Sequence, residues 1–485
     1  MQSACEPIGV SSVLTSIEDR ISKGRLSTRL QEDEILSIIE AEAGPKSREV
    51  LQEALKYESP SHTSWGLLKF PVVVSETKGA IVTDVDGKEY IDCMSAFGVL
   101  NVGGCHPKVV QAARSQVEKS TVYCELPSEA RVQLAKKLTG MSPVEGRSKV
   151  HFCVTGTEAV AGAVRAAGYF TGRPSILAFY GCYHGRVGVA DNLTRNAYMK
   201  NFAFPVHATE EINFVPYAYC YRCAFGKEYP DCDMQCTRHI EQLLSNTMYG
   251  LRDHEHHISH LSAIIVEPVQ GHAGVITPPT EFMRDLRRIC DQYGLLLVDD
   301  EIYTGFGRTG KLWAIEHSGV KADIATIGKS LAGGYPISAI VGKEEIMNSW
   351  GPYAVCGTFM GNLLSSATSL AAIQVIDEEK LVERASSLGE YMLKGLRSLQ
   401  QENELIGDVG GHGLFMGIEF VKDRKTKQPA YEETTRIQHE ARKRGVLIAK
   451  GAFGNRIDLM PPLVIEKDQI DRIIEVLDAA IKAAK

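Results

Sequence analysis

The stretch LLLVDDEIYTGFGRTG, Leu295 to Gly310, runs from an apolar strand into three successive carboxylates and then into a glycine-rich loop that carries Arg308. Ligands of open α/β sheets sit beyond the carboxyl ends of the strands, so Asp299, Asp300 and Glu301 fall where a site belongs. Further along comes TIGKSLAGGYP, Thr326 to Pro336, with Lys329 between a short strand and a glycine turn. Glycines there let the backbone crowd a ligand, and a lysine held among them can be desolvated and nucleophilic. Either segment alone reads as a structural turn. Together they point to chemistry.

Working outward, short apolar runs at Lys149–Val154, Ser175–Phe179, Ala263–Val266 and Leu295–Val298 alternate with helical stretches such as Thr157–Tyr169 and Glu281–Tyr293. That alternation predicts a mostly parallel sheet covered by helices. From about Thr368 the chain is helix-rich and then strand-like in GLFMGIEFV and GVLIAK, which predicts a smaller α+β lobe. Before the sheet, Ile17 to Lys56 is charged with apolar residues at helical spacing, as in KSREVLQEALKY. Near Pro71, FPVVVSETKGAIVTDVDGKEYIDCM reads as short strands around a turn at Val85, Asp86 and Gly87. The expected division is a helical arm over 1–70, a large domain over 71–345 whose first strands join the small lobe, and a small domain over 346–485.

One more segment completes the pattern. VTGTEAVAGAV, from Val154, sets a small polar turn after a strand and before a helix, where backbone N–H groups and the helix dipole favour a dianion. With these motifs the chain resembles the class III aminotransferases, a fold-type I family dependent on pyridoxal 5'-phosphate (PLP), from about Ser75 to the C-terminus. The stretch EYIDCMSAFGVLNVG and the later motifs are most similar to the putrescine and ornithine aminotransferase branch. The resemblance implies an α/β large domain on a mostly parallel seven-stranded sheet and a smaller α+β C-terminal domain. It implies that Lys329 holds PLP as a Schiff base and later moves the proton at the substrate α-carbon. Asp300 then pairs with the pyridine nitrogen, whose protonation lets the ring accept electrons. Gly156 and Thr157 match the phosphate loop. Tyr183, in CYHG, matches the residue that stacks on the ring, and Ile302 the one that packs on its other face. Thr358, in GTFMGN, matches the threonine that one subunit lends to its neighbour's phosphate, which implies a homodimer with shared sites.

Three positions depart from the family. Tyr303 stands where a glutamine usually hydrogen-bonds the cofactor's phenolic oxygen; tyrosine can still donate but is bulkier. His272, in VEPVQGHAGV, replaces a gating glutamate of the ornithine-like branch. Asp458, in NRIDLMPPLVI, replaces the arginine that binds a substrate carboxylate, while Arg456 shares its strand face and could partly substitute. Aspartate repels a carboxylate and suits a cationic substrate. The expected activity is transamination of an amine, ω-amino acid or basic amino acid. The alternative is racemisation, decarboxylation or carbon–carbon bond formation on the same scaffold, with a cationic amino acid such as S-adenosylmethionine.

Bulk properties narrow the rest. Of 485 residues 44% are hydrophobic and 23% charged, and the net charge of -7 argues against nucleic-acid binding. No apolar run approaches a bilayer span, and MQSACEPIGVSS lacks a secretory signal. Twelve scattered cysteines do not read as a disulfide framework, so a reducing cytoplasm is expected. Cys220, Cys223, Cys232 and Cys236 have a two-plus-two spacing reminiscent of a zinc knuckle, although a cysteine-containing surface loop is the favoured reading and no metal is expected. The run HEHHISH, His254 to His260, reads as a solvated helix end.

Overall fold

The computed structural model describes residues 35–59, 70–123, 126–195, 211–253, 255–256 and 258–484. The chain divides into two compact units, one of Met1–Glu76 with Thr83–Glu89, the other of Thr77–Val82 with Tyr90–Lys485. The smaller unit contains the helix Pro45–Tyr57, whose proline sits at its start, where a missing N–H costs nothing. Ile35, Ile39, Ala43 and Leu51 form its small core. Asp86 accepts from the backbone N–H of Lys46 and Ser47 and from the Ser47 hydroxyl, tying the start of this helix. Residues 1–34 and 60–69 of the expected arm lie outside the described residues.

The larger unit is built on a seven-stranded sheet. Its order across the sheet is Ser148–Cys153, Ser338–Lys343, Ile324–Ile327, Leu296–Asp300, Leu261–Val266, Ser175–Phe179 and Ile212–Val215. Only Ser338–Lys343 runs against its neighbours, pairing antiparallel on both sides. The other contacts are parallel, so the expected mostly parallel sheet is present. Every residue of Leu261–Val266 and of Ser175–Phe179 is buried, as in a sheet covered on both faces. Alternation sends Ile176, Ala178, Ala263 and Ile265 to one face, against Val160, Ala163 and Ala167 of the helix Gly156–Thr171. Leu177, Phe179, Ile264 and Val266 go to the other, with Phe282, Leu286 and Ile289 of the helix Thr280–Tyr293. Gly162 lets the first helix approach closely, since a Cβ there would fall 2.5 Å from Ile340 Cδ1.

The strand expected to stop at Val298 continues to Asp300, with Asp299 opposite Ala325 and Asp300 opposite Thr326. The lysine turn therefore follows directly beside the acidic strand end. Ser338–Lys343 was not evident in the sequence, because it starts straight after the glycine-proline turn. C-terminal to this sheet, Ile406–His412, Phe415–Asp423, Arg456–Leu459 and Ala449–Lys450 form a second sheet in that order. Asp458 lies opposite Gly417 and Arg456 opposite Glu419, so the two share a face.

The helix Gly156–Thr171 begins in a reciprocal capping box. Thr155 Oγ1 accepts from Glu158 N at 3.3 Å, and Glu158 Oε2 accepts from Thr155 N at 3.0 Å and Val154 N at 2.7 Å. Thr155→Ala removes one half of this box. In the cofactor-free protein it should lower unfolding stability by about 1 kcal/mol, read by denaturant titration, with an unchanged far-ultraviolet circular dichroism spectrum.

Candidate active site

Where the acidic strand end, the lysine turn and the capped helix meet, a cavity of about 180 Å³ is lined by Gly156, Thr157, Tyr183, His184, Gly185, Glu267, Asp300, Ile302, Tyr303 and Lys329. Lys329 follows the strand Ile324–Ile327 and carries φ of 41°, in the left-handed region that side chains rarely adopt. Such a backbone persists only where its surroundings dictate it. Burial brings the Lys329 amine down to about 8, against the opposing pull of Asp300 and Glu267. Its Nζ lies 3.2 Å from the centroid of the Tyr303 ring.

Strand alternation and local partners separate the three carboxylates. Asp300 faces the cavity: Oδ2 is 2.6 Å from His184 Nδ1, and Oδ1 accepts from Thr326 Oγ1 at 3.0 Å and Ile302 N at 3.2 Å. Burial opposes charge on His184, yet Cys182 and the hydrogen bond to Asp300 hold its imidazole well above the ordinary value. Burial and then Glu301 push the Asp299 carboxyl well up, and Glu301 accepts from Ile315 N and the Thr304 hydroxyl. Arg308 is structural, donating to Leu414 O at 3.0 Å and to Asn101 Oδ1 at 2.6 Å.

Close packing shapes the cavity wall where Gly156 meets Ile302. A Cβ on Gly156 would fall 2.9 Å from Ile302 Cδ1, so glycine lets the helix start closely against that side chain. The first intrahelical hydrogen bond is Ala159 N to Thr155 O, at 3.1 Å, which leaves the N–H groups of Gly156 and Thr157 upstream of the ladder. These residues suit PLP. The helix start offers N–H donors to a phosphate, and Lys329 offers an amine to an aldehyde. Asp300 retains acceptor capacity, because a carboxylate has about four lone-pair sites and three are used here.

Other expected residues stand differently. Tyr183 donates its backbone N–H to Glu267 at 2.9 Å, and its ring stacks on His272 at 4.6 Å and 11°. Burial, then Lys329 and Arg186, bring His272 down to about 4, which leaves a neutral imidazole. The Tyr303 hydroxyl is 3.0 Å from Met460 Sδ. Arg456 is buried; it donates to Glu419 Oε2 at 2.7 Å and Gly274 O at 2.6 Å, and to the Tyr219 hydroxyl at 3.0 Å. Glu419 also accepts from the Tyr219 hydroxyl on the same oxygen and from Arg222 on the other. Asp458 is buried with Oδ1 unpartnered, and burial pushes its carboxyl well up in spite of Arg456. Neither Asp458, Arg456 nor His272 lines the Lys329 cavity, and Thr358 is exposed on the surface.

Sequence reading missed His184, Gly185 and Glu267. His184 stood in the quoted CYHG, and Glu267 follows the buried strand Leu261–Val266, the same kind of position that singled out Asp300. Cys220, Cys223, Cys232 and Cys236 line one small cavity of about 20 Å³, where burial first and neighbouring thiols next push Cys220 up to about 11. Among the described residues no cluster of three or more such side chains is disposed to hold a metal ion. His256 pairs with Asp253 at 2.7 Å in an exposed turn, while His254 and His257 lie outside the described residues.

The class III aminotransferase family model matches residues 64–481, and the chain belongs to that family. It is a PLP-dependent transferase of fold type I. A leucine/methionine racemase of Thermococcus litoralis is 38% identical over 417 residues, covering 85% of this chain and 90% of the racemase. A 5-aminovalerate aminotransferase of Pseudomonas putida is 35% identical over 412 residues, covering 84% and 93%. Among solved structures, a PLP-bound amine transaminase from an uncultivated Pseudomonas species superposes with a TM-score of 0.79. It is 27% identical, with 85% of this chain and 95% of the other covered. Among the described residues no helix is long and apolar enough to cross a membrane.

Glu267 supplies a test of the site's electrostatics. Burial pushes its carboxyl from 4.5 up to about 7, although Tyr183 N and Gly271 N donate to it. A raised carboxyl contributes stability below its unfolded value and loses it as pH rises through the folded one. Glu267→Gln cannot ionise. Whatever the difference at pH 5, the stability of this variant relative to the parent should therefore improve by roughly 3 kcal/mol by pH 8 in the cofactor-free protein. Parallel pH profiles of unfolding would show Glu267 to be an ordinary carboxylate.

Proposed function

We propose that this enzyme takes the amino group from an amine, an ω-amino acid or a basic amino acid and that its site is not built for a dicarboxylate acceptor. Bound PLP supplies an electrophilic carbon and an electron-withdrawing ring that stabilises negative charge at the substrate α-carbon. Lys329, brought to about 8, is neutral in part of the population near neutral pH, so it can carry the cofactor and then take and return the α-proton. Asp300, braced by His184 and Thr326, would hold the proton of the pyridine nitrogen. Gly156 and Thr157 would receive the phosphate at the helix start, and Ile302 and Tyr183 would pack against the ring. Thr358 reaches the phosphate of a second copy, which makes the working unit a homodimer; its exposure supports this reading. The described cysteines are free thiols, which supports a cytoplasmic enzyme.

The observation that carries the substrate reading is the engagement of Arg456. Its guanidinium is committed to Glu419 and to the carbonyl of Gly274, so no fork is left for a distal carboxylate. Burial pushes the Asp458 carboxyl well up in spite of Arg456, and a cationic substrate group close to it would favour its charged form. A second reading is favoured by the same absence and by the 38% likeness to a racemase: Lys329 takes the α-proton, and the proton returns to the opposite face with no keto acid consumed.

Donor turnover with 5-aminovalerate or L-ornithine, compared across keto acids, separates these readings. Pyruvate should exceed 2-oxoglutarate by about tenfold or more in kcat/KM, a difference of about 1.4 kcal/mol for the missing guanidinium. Equal or faster turnover of 2-oxoglutarate would contradict the proposal. D-enantiomer formed from L-leucine or L-methionine without any keto acid would establish the second reading.

A further inference from the structure

The side chain of Tyr303 is fixed more tightly than a cofactor contact needs. A Cβ on Gly98 would fall 2.7 Å from Tyr303 Cε2, and one on Gly271 would run into Cδ1 on the opposite side. Two glycines thus leave a slot that the ring fills. Its hydroxyl is turned to Met460 Sδ at 3.0 Å, and Phe415 packs on it at 5.2 Å between centroids, tilted by 56°. The usual glutamine at this position donates through its polar end. Here the polar end points elsewhere, and what Tyr303 presents to the site is the face of its ring, 3.2 Å below Lys329 Nζ.

We propose that Tyr303 is a positioning residue for Lys329, its ring face being the seat on which the lysine nitrogen rests whenever that nitrogen carries positive charge. A cation over an aromatic face is drawn to the ring quadrupole, most strongly where water is excluded. The contact has two consequences. It fixes the nitrogen at one place above a clamped ring, and it favours the charged form against the burial that disfavours it. Asp300 and Glu267 also favour that charge, while His272 is neutral and the Tyr303 hydroxyl stays protonated because burial pushes it well up. The inference rests on the reading that Lys329 is the residue bonded to PLP.

The test is a pH titration of the holoenzyme's visible band, which reports protonation of the nitrogen joining Lys329 to the cofactor and does not depend on turnover. Tyr303→Phe keeps the ring and should leave the midpoint within about 0.2 pH units of the parent, while Tyr303→Leu should lower it by about 0.5 units or more, equivalent to about 0.7 kcal/mol. Should the leucine variant fail to fold, phenylalanines of increasing fluorination at position 303 keep the shape and weaken the quadrupole. The midpoint should then fall stepwise with fluorine number. A flat series would overturn the proposal, since a residue that only fills space does not sense ring electronics. A parent holoenzyme without any pH-dependent visible band would instead refute the bonding role of Lys329, and the two failures are thereby distinct.

Discussion

A half-buried lysine whose amine shares one cavity with a buried carboxylate is the constraint around which this molecule is arranged. Placing an ammonium out of water is costly, and the chain meets that cost by keeping Asp300 and Glu267 in the same cavity and by lowering the amine to about 8. The result is a nitrogen that is both nucleophilic and able to exchange a proton near neutral pH. Asp300 in turn needs its own support, which comes from His184, Thr326 and the backbone of Ile302. The left-handed backbone at Lys329 and the glycine at 156 are local strains and small volumes tolerated because the adjoining strands fix both segments.

The parallel register converts sequence into site. Asp300 opposite Thr326 brings the acidic strand end beside the strand that leads into Lys329, and the strand Leu261–Val266, neighbouring the acidic strand, is followed at once by Glu267. Three carboxyl ends converge on one cavity with no long loop needed to bring them together. The C-terminal sheet carries a buried ion pair of its own. There Glu419 is buried with Arg456, and burial still pushes its carboxyl up, so the pair is a tether more than a source of net stability. That tether holds the guanidinium away from the cavity.

Much of this was legible in the residues. The period and spacing of the apolar runs marked the sheet, and glycines beside Lys329 and after Asp300 marked the site. What stayed hidden follows from the physics of side-chain direction. Three adjacent carboxylates look alike in a string, and only strand alternation together with buried partners separates Asp300 from Asp299 and Glu301. Arg456 could be assigned a strand face from the sequence, but its partner Glu419 lies on another strand, and pairing across strands is not written locally. Likewise, Tyr303 reads as a hydrogen-bond donor until Gly98, Gly271 and Met460 are seen to turn its hydroxyl away from Lys329. Glu267 was within reach of the strand-end rule that found Asp300.

The central claim is that one lysine, held in this cavity, bonds the cofactor. Borohydride reduction of the holoenzyme followed by peptide mapping tests it most directly, because reduction makes the carbon–nitrogen bond permanent before digestion. The account predicts a single pyridoxyl-modified peptide containing Lys329, and none in a Lys329→Ala protein treated identically. Modification on a different lysine of the parent, with the Lys329 peptide recovered unmodified, would contradict it.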